Sequence, residues 1–87
     1  MKDTYEVLKY PLSTEKAVRL MESENKLLFI VDRKSKKDEI RKAVENLFKV
    51  KVISVKTLTL PNGKKKAYIK LSKENPAIDV ATQLGLM

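Results

Sequence analysis

The most regular pattern of apolar residues lies in the middle of the chain. Between residues 40 and 48 the apolar positions recur every three or four residues, which places them on one face of an amphipathic helix. Ser35 precedes this stretch and is its predicted N-cap, while Asp38 falls in the first turn, near the positive end of the helix dipole. The apolar face consists of Ile40, Ala43, Val44, Leu47 and Phe48.

Two weaker patterns of the same kind predict one helix near each end of the chain. Ser13 is the predicted N-cap of the earlier helix, and Asn25 lies in the turn expected after it. Asn75 and Pro76 suit the N-cap and first position of the later helix, and Gly85 suits its C-terminal end. The apolar faces comprise Ala17, Leu20 and Met21 in the earlier helix and Ala77, Val80, Ala81 and Leu84 in the later one.

Three other stretches predict β-strands. Residues 27–31 form a continuous apolar run of strand length, which is typical of a central strand covered on both faces. Residues 50–60 are also β-prone, but their alternation changes phase at Ile53, which a β-bulge or a strong twist would explain. Pro61-Asn62-Gly63 predicts a turn, and residues 66–71 then alternate between basic or aromatic and apolar. We therefore predict a β-hairpin with one apolar face and one basic face.

The first predicted strand is short. It contains Val7 and Leu8 and ends at Pro11, because proline cannot donate to the hydrogen-bond ladder of a sheet. The elements then follow the order β-α-β-α-β-β-α. In a chain of 87 residues this order predicts a single domain, residues 1–87, of the α+β class. Its helices should pack on a mainly antiparallel four-stranded sheet.

The composition removes most classes of enzyme. The chain has no cysteine and no histidine, so thiolate nucleophiles, the commonest catalytic base and the usual zinc ligands are missing. Its only glycines are Gly63 and Gly85, which excludes a glycine-rich phosphate loop. Acidic residues near the predicted helix starts, such as Asp38, are better explained as partners of the helix dipole. We therefore predict a protein that is not an enzyme and that uses no cofactor and no metal.

The sequence gives no sign of a membrane span or of secretion. No apolar run approaches the roughly 18 residues that a membrane helix needs. The first residues also lack the hydrophobic core of a signal peptide. The expected location is the cytoplasm.

The distribution of charge indicates a polyanionic partner. Lysine and arginine total 19 against 11 acidic residues, for a net charge of +8. Residues 49–73 contain eight lysines and no acidic residue, whereas elsewhere the basic and acidic residues balance. The whole excess therefore lies on the predicted hairpin, as in a nucleic-acid-binding surface. The alternative is that these lysines only keep an edge strand soluble.

The predicted hairpin contains the candidate binding site. Lys66, Tyr68 and Lys70 point to one face of an extended strand, about 6.5 Å apart, which is close to the phosphate spacing of a nucleic acid strand. The lysines would neutralise phosphates, and Tyr68 could stack on an unpaired base or a ribose. Tyr68 could equally pack under a lysine stem and contact no ligand. Further candidates are Lys64 and Lys65 after the turn and Lys56 and Thr57 on the partner strand.

Six motifs, in order along nearly the whole chain, resemble those of one known family. The first, PLSTEKA at residues 11–17, is similar to the signature P-x-x-[ST]-E-K-A of the universal ribosomal protein at the mouth of the polypeptide exit tunnel, the twenty-third of the large-subunit series. The others are NKL at residues 25–27, FIVD at 29–32, IRKAVENLFKVKV at 40–52, KTL at 56–58 and KKAYIKL at 65–71.

This resemblance implies a three-layer α/β/α domain that binds the third domain of large-subunit ribosomal RNA. Glu15 matches an exposed glutamate at which nascent-chain factors dock. That factor is the trigger factor in bacteria, and the signal recognition particle is expected where trigger factor is absent. The twenty-ninth protein of the large-subunit series usually shares the site as a neighbour. The RNA contacts implied by position are Lys16, Lys56, Thr57, Lys65, Lys66 and Tyr68.

The turn of the hairpin departs from the bacterial pattern. Bacterial members carry a long insertion there, which reaches into the tunnel, whereas only residues 59–64 intervene in this chain. The short turn resembles the archaeal or eukaryotic type, and the absence of a long basic N-terminal extension favours the archaeal one. Lys56 stands where asparagine is commoner, which favours phosphate contact over base recognition.

Two other classes of function remain as alternatives. A free-standing RNA- or DNA-binding module would have a similar charge, but more aromatic residues for stacking than the five present here. A small regulatory α+β domain that binds a metabolite or dimerises would have glycine-rich loops between strand and helix, and it would have no basic surface.

Overall fold

A computed structural model of the chain describes residues 7–85. Seven elements follow one another in the order β-α-β-α-β-β-α, as the hydrophobic pattern predicts. None of the helices among these residues is both long and apolar enough to cross a membrane. The elements are β1 (Leu8–Pro11), α1 (Glu15–Glu24), β2 (Lys26–Val31), α2 (Lys37–Phe48), β3 (Val52–Thr59), β4 (Lys65–Leu71) and α3 (Ala77–Gln83).

The four strands form one antiparallel sheet. Their order across the sheet is β1-β2-β4-β3, so β2 and β4 are central while β1 and β3 are the edges. Every neighbouring pair is antiparallel. The α+β class and the antiparallel four-stranded sheet are therefore confirmed.

The core is built around β2. Residues 27–31 are each at most 5% exposed, so this strand is buried on both faces, as its continuous apolar run predicts. The rings of Phe29 in β2 and Phe48 in α2 lie 6.0 Å apart between centroids. The predicted apolar face of α2 is buried except for Leu47, which is 41% exposed. Burial of both faces of a central strand is consistent with the expected layers of helix on either side of the sheet.

The helix caps differ by one position from those predicted. Thr14, not Ser13, caps α1, and its hydroxyl accepts a hydrogen bond from the Ala17 amide at 3.2 Å. Lys36, not Ser35, is the N-cap of α2. The Ser35 side chain is buried and its hydroxyl has no partner among the described residues, so it cannot be the cap. Runs of adjacent polar residues offer several caps, and packing selects among them.

Asn25 connects three parts of the fold. Its backbone adopts the left-handed conformation at the end of α1, with φ of 55°. Its side-chain Nδ2 donates to the carbonyls of Leu71, Ser72 and Asn75 at 3.0–3.2 Å. Its Oδ1 accepts from the Ala77 amide at 2.6 Å. Asn25 therefore caps α3 from a distance, and the predicted N-cap Asn75 does not, because Pro76 occupies that position.

The irregularities of the hairpin are those that the sequence predicts. The pairing of β3 with β4 shifts register between Val52 and Ser54, so that Ile53 forms the expected bulge. In the turn, the Leu60 amide donates to the Lys64 carbonyl at 2.7 Å, and Gly63 has a φ of +87°. Glycine adopts such a positive φ without steric cost.

Candidate nucleic-acid interface

One face of the hairpin is basic. Along β4, Lys66, Tyr68 and Lys70 alternate with Ala67, Ile69 and Leu71. The latter three face the core and are almost fully buried. Register then places Lys56 of β3 directly opposite Tyr68, and Lys26 of β2 opposite Lys70. We refer to Lys26, Lys56, Lys66, Tyr68 and Lys70 together as the basic sheet face.

A shallow depression occupies the middle of this face. Its volume is about 400 Å³, and Lys26, Lys56, Tyr68 and Lys70 line it together with Lys37 from the start of α2. Four lysine side chains therefore line one depression together with a single aromatic side chain. Such an arrangement concentrates positive potential at a concave surface, where an anionic ligand gains most from it.

Few acidic groups compete for these lysines. Lys26 forms an ion pair with Glu24 at 3.2 Å. Among residues 7–85, no ion pair joins Lys37, Lys56 or Lys70 to a carboxylate. Amines without protein counterions are surrounded by mobile ions in solution, and a polyanion that binds there releases these ions.

Tyr68 lies at the centre of the basic sheet face. It is half-buried and packs against the hydrophobic core. The Lys66 Nζ lies 5.8 Å from its ring centroid. A lysine amine thus lies near the ring, and both interpretations of Tyr68, packing under a lysine stem and stacking on RNA, stay predictions.

The run Lys64-Lys65-Lys66 does not act as one cluster. Lys66 belongs to the basic sheet face, whereas Lys65 faces the opposite side and its Nζ donates to the Ser35 carbonyl at 2.7 Å. Lys64 lies at the turn, where its Nζ donates to the Tyr10 hydroxyl at 3.1 Å. Three consecutive positive charges therefore have three different environments.

The remaining predicted contacts lie away from the basic sheet face. Thr57 pairs with Ala67 and is half-buried on the side that faces the core. Lys16 is exposed on α1. Its neighbour Glu15 is also exposed, and its Oε1 accepts from Arg19 at 2.7 Å. An exposed pair of this kind contributes little stability, so the Glu15 carboxylate can exchange Arg19 for another partner.

Two lysines that line the depression, Lys26 and Lys37, were not among the predicted contacts. Lys26 is placed there by the register of β2 against β4, which pair across more than thirty residues of intervening chain. Lys37 is placed there by the packing of α2. Neither relation leaves a local pattern in the sequence.

No group of three or more His, Cys, Asp and Glu side chains within residues 7–85 could hold a metal ion.

Comparison with known proteins gives consistent results. Residues 6–80 match the family model described as ribosomal protein L23. A protein named large ribosomal subunit protein uL23 from Methanococcus aeolicus is 48% identical over 84 residues, which cover 97% of this chain and 98% of that protein. The protein of the same name from Trypanosoma brucei brucei is 46% identical over 85 residues, or 98% of this chain and 52% of that protein. The chain thus spans about half the length of the trypanosome protein and nearly all of the methanogen one.

Proposed function

The chain belongs to the ribosomal protein L23 family, and on this premise we propose that it is a structural constituent of the large ribosomal subunit that binds ribosomal RNA through its basic sheet face. The observation that carries the RNA-binding part is the depression that four lysines and Tyr68 line, in which three of the lysines have no carboxylate partner among residues 7–85. Phosphates would replace the mobile counterions of these lysines, and Tyr68 would contact an unpaired base or a ribose.

The position within the subunit follows from the family resemblance. We assign the chain to the third domain of the large-subunit RNA, near the exit of the polypeptide tunnel, in the cytoplasm. The twenty-ninth protein of the large-subunit series would be its neighbour. The short turn at residues 60–64 supports an archaeal-type role in which this hairpin stays out of the tunnel interior. The role is structural rather than catalytic.

Co-sedimentation tests this function directly. A tagged copy of the chain is expressed in a methanogen, and the lysate is resolved on sucrose gradients at moderate and high salt. We expect the protein to migrate with large subunits at both salt concentrations. A protein that stays at the top of both gradients would contradict the ribosomal role and leave a free-standing nucleic-acid-binding module as the better explanation.

Glu15 is the proposed docking residue for the signal recognition particle. Its carboxylate is exposed, lies outside the basic sheet face and, among residues 7–85, is paired with Arg19 of the same helix. Replacing Glu15 by alanine should weaken binding of the particle to large subunits by at least about tenfold, while the RNA affinity of the chain stays unchanged. Titration of fluorescent particle against large subunits that carry the variant measures this effect.

Glu22 supplies the matched control for that titration. It is exposed on the same helix and has no hydrogen bond or ion pair within the described part of the chain. Replacing Glu22 by alanine removes the same charge, and we expect it to leave docking unchanged. If both variants lose the same affinity for the particle, the effect is one of net charge. If the Glu15 variant loses RNA affinity, Glu15 is not reserved for docking and the proposed division between docking and RNA binding is wrong.

A further inference from the structure

A second depression lies beside the basic sheet face, close to the turn between β3 and β4. Its volume is about 470 Å³, within the range of about 300–1,000 Å³ that is usual for sites that bind small organic groups. Tyr10 of β1 and Ile30 of β2 line it together with three exposed cations, Lys9, Arg33 and Lys64. Of these residues, only Lys64 was predicted from the sequence to contact RNA.

Tyr10 offers an aromatic surface to this depression. The side chain is 43% exposed, and the Lys64 Nζ lies 3.1 Å from its hydroxyl oxygen and 5.7 Å from its ring centre. The distance from Nζ to the ring centre nearly equals the sum of two others, from Nζ to the hydroxyl oxygen and from that oxygen to the ring centre. The three points therefore lie almost on one line. The Lys64 ammonium therefore lies beyond the hydroxyl, close to the ring plane, and does not cover a ring face. The exposed part of the ring remains available for stacking.

Two of the three cations lie at the turn, and Lys9 lines the depression from β1. Arg33 Nη1 lies 3.8 Å from the position that a Cβ would take at Gly63, so the guanidinium rests beside the turn next to Lys64. No ion pair within residues 7–85 joins Lys9, Arg33 or Lys64 to a carboxylate. Asp32 also lines the depression, and its Oδ1 accepts from the Lys34 amide at 3.3 Å.

We propose that this depression binds a single unpaired nucleotide of RNA, with the base against Tyr10 and Ile30 and the phosphate at Arg33 and Lys64. Single-stranded RNA is recognised by aromatic and arginine side chains that stack on its splayed bases and by cations that bind its backbone. An acidic peptide would use the cations but would leave the exposed ring without a partner.

The depression continues the basic sheet face. Tyr10 pairs with Ile30, and Ile30 pairs with Lys66, so Tyr10 extends one row of that face to the edge strand β1. A strand of RNA that follows the lysines of the sheet would therefore reach Tyr10 next. This inference rests on the proposed function, because it adds one nucleotide site to the RNA surface proposed above.

Affinity measurements with matched variants test the site. Large-subunit RNA from Methanococcus aeolicus is the probe, since that organism contains the relative that is 48% identical. Replacing Tyr10 by leucine should weaken binding between about 5- and 100-fold, because stacking on a base is lost, without changing the salt dependence. Replacing Tyr10 by phenylalanine retains the ring and should keep affinity within about twofold. Replacing Arg33 by alanine should lower the slope of log affinity against log salt by about 0.7–0.9.

Photocrosslinking gives a second measurement that does not depend on the stability of a variant. RNA containing 4-thiouridine should crosslink to the peptide that carries Tyr10 in the unaltered protein. The nucleotide site would be overturned if the leucine variant binds RNA with wild-type affinity and the unaltered protein gives no such crosslink.

If replacing Lys56, Lys66 and Lys70 still weakens binding in that case, the proposed RNA-binding function stands without the nucleotide site. If those lysine replacements also have no effect, both proposals fail. Loss of the crosslink on adding polyglutamate, with the RNA still bound, would assign the depression to an acidic peptide instead.

Discussion

Replacing Lys56, Lys66 and Lys70 together by alanine is expected to weaken binding to large-subunit ribosomal RNA roughly a hundredfold at 0.1 M salt. All three lysines belong to the basic sheet face, and none has an acidic partner among residues 7–85. Each phosphate contact contributes about 0.7–0.9 to the slope of log affinity against log salt, so the slope should fall by about 2 to 3. Filter binding between 50 and 300 mM KCl measures both quantities.

Lys65 is the control for this experiment. It belongs to the same strand and carries the same charge, but its amine faces the other side of the sheet and donates to the Ser35 carbonyl. The variant Lys65→Ala should therefore keep the wild-type salt slope, although its melting temperature should fall slightly. A slope reduced as much as by Lys66→Ala would show that net charge, and not the basic sheet face, determines binding.

The same geometry changes what is expected of the run Lys64-Lys65-Lys66. Its sequence predicts that alanine at all three positions removes about three counterions from the salt dependence. Since the Lys65 amine is bound to the Ser35 carbonyl, we now expect a loss of about two counterions. A loss of three counterions would mean that all three lysines bind RNA, as their composition alone suggests. A loss of two would mean that the direction of each side chain decides which lysines bind.

Replacing Asn25 by alanine should lower the free energy of unfolding by about 3 kcal/mol, because its two amide hydrogens, shared among three carbonyls, and its accepting oxygen together form about three hydrogen bonds of about 0.5–1.5 kcal/mol each. The amide at the start of α3 would also lose its cap. For a domain of this size the melting temperature should fall by roughly 12–24 °C. Thermal unfolding followed by circular dichroism measures the change.

Two further variants separate the possible causes. Asn46 is exposed on α2 and forms no side-chain hydrogen bond within the described residues, so Asn46→Ala should change stability by less than about 0.5 kcal/mol. Asn25→Gly keeps the backbone free to adopt positive φ but lacks the amide group. It should therefore be nearly as unstable as Asn25→Ala. A glycine variant close to the wild type would mean that backbone strain, and not the hydrogen bonds, accounts for the loss.

Sequence periodicity was sufficient to predict the elements, because each depends on neighbours within one or two turns. The three- and four-residue spacing in α2, the continuous run in β2 and the change of phase at Ile53 all correspond to observed features. Alternation along β4 also separated Lys66, Tyr68 and Lys70 from the residues that face the core.

Relations between distant parts of the chain could not be predicted in this way. Asn25 caps α3 by accepting a hydrogen bond from the Ala77 amide, which lies 52 residues further along the chain. Lys26 joins the basic sheet face through the register of β2 against β4. Tyr10 reaches the second depression because β1 pairs with β2 at the edge of the sheet. In each case the side chain is ordinary in its local sequence, and its role arises only from the tertiary fold.

The hydrogen bonds of Asn25 also determine when this domain can become stable during synthesis. They link residues separated by 46 to 52 positions, and their partners lie close to the C-terminal helix. The hairpin of β3 and β4, in contrast, closes over a short turn and can form early, since short loops lose little entropy on closure. A growing chain that ends before Ala77 would thus already contain the basic hairpin and the Leu71 carbonyl that Asn25 binds, but it would lack α3 and the amide that Asn25 caps.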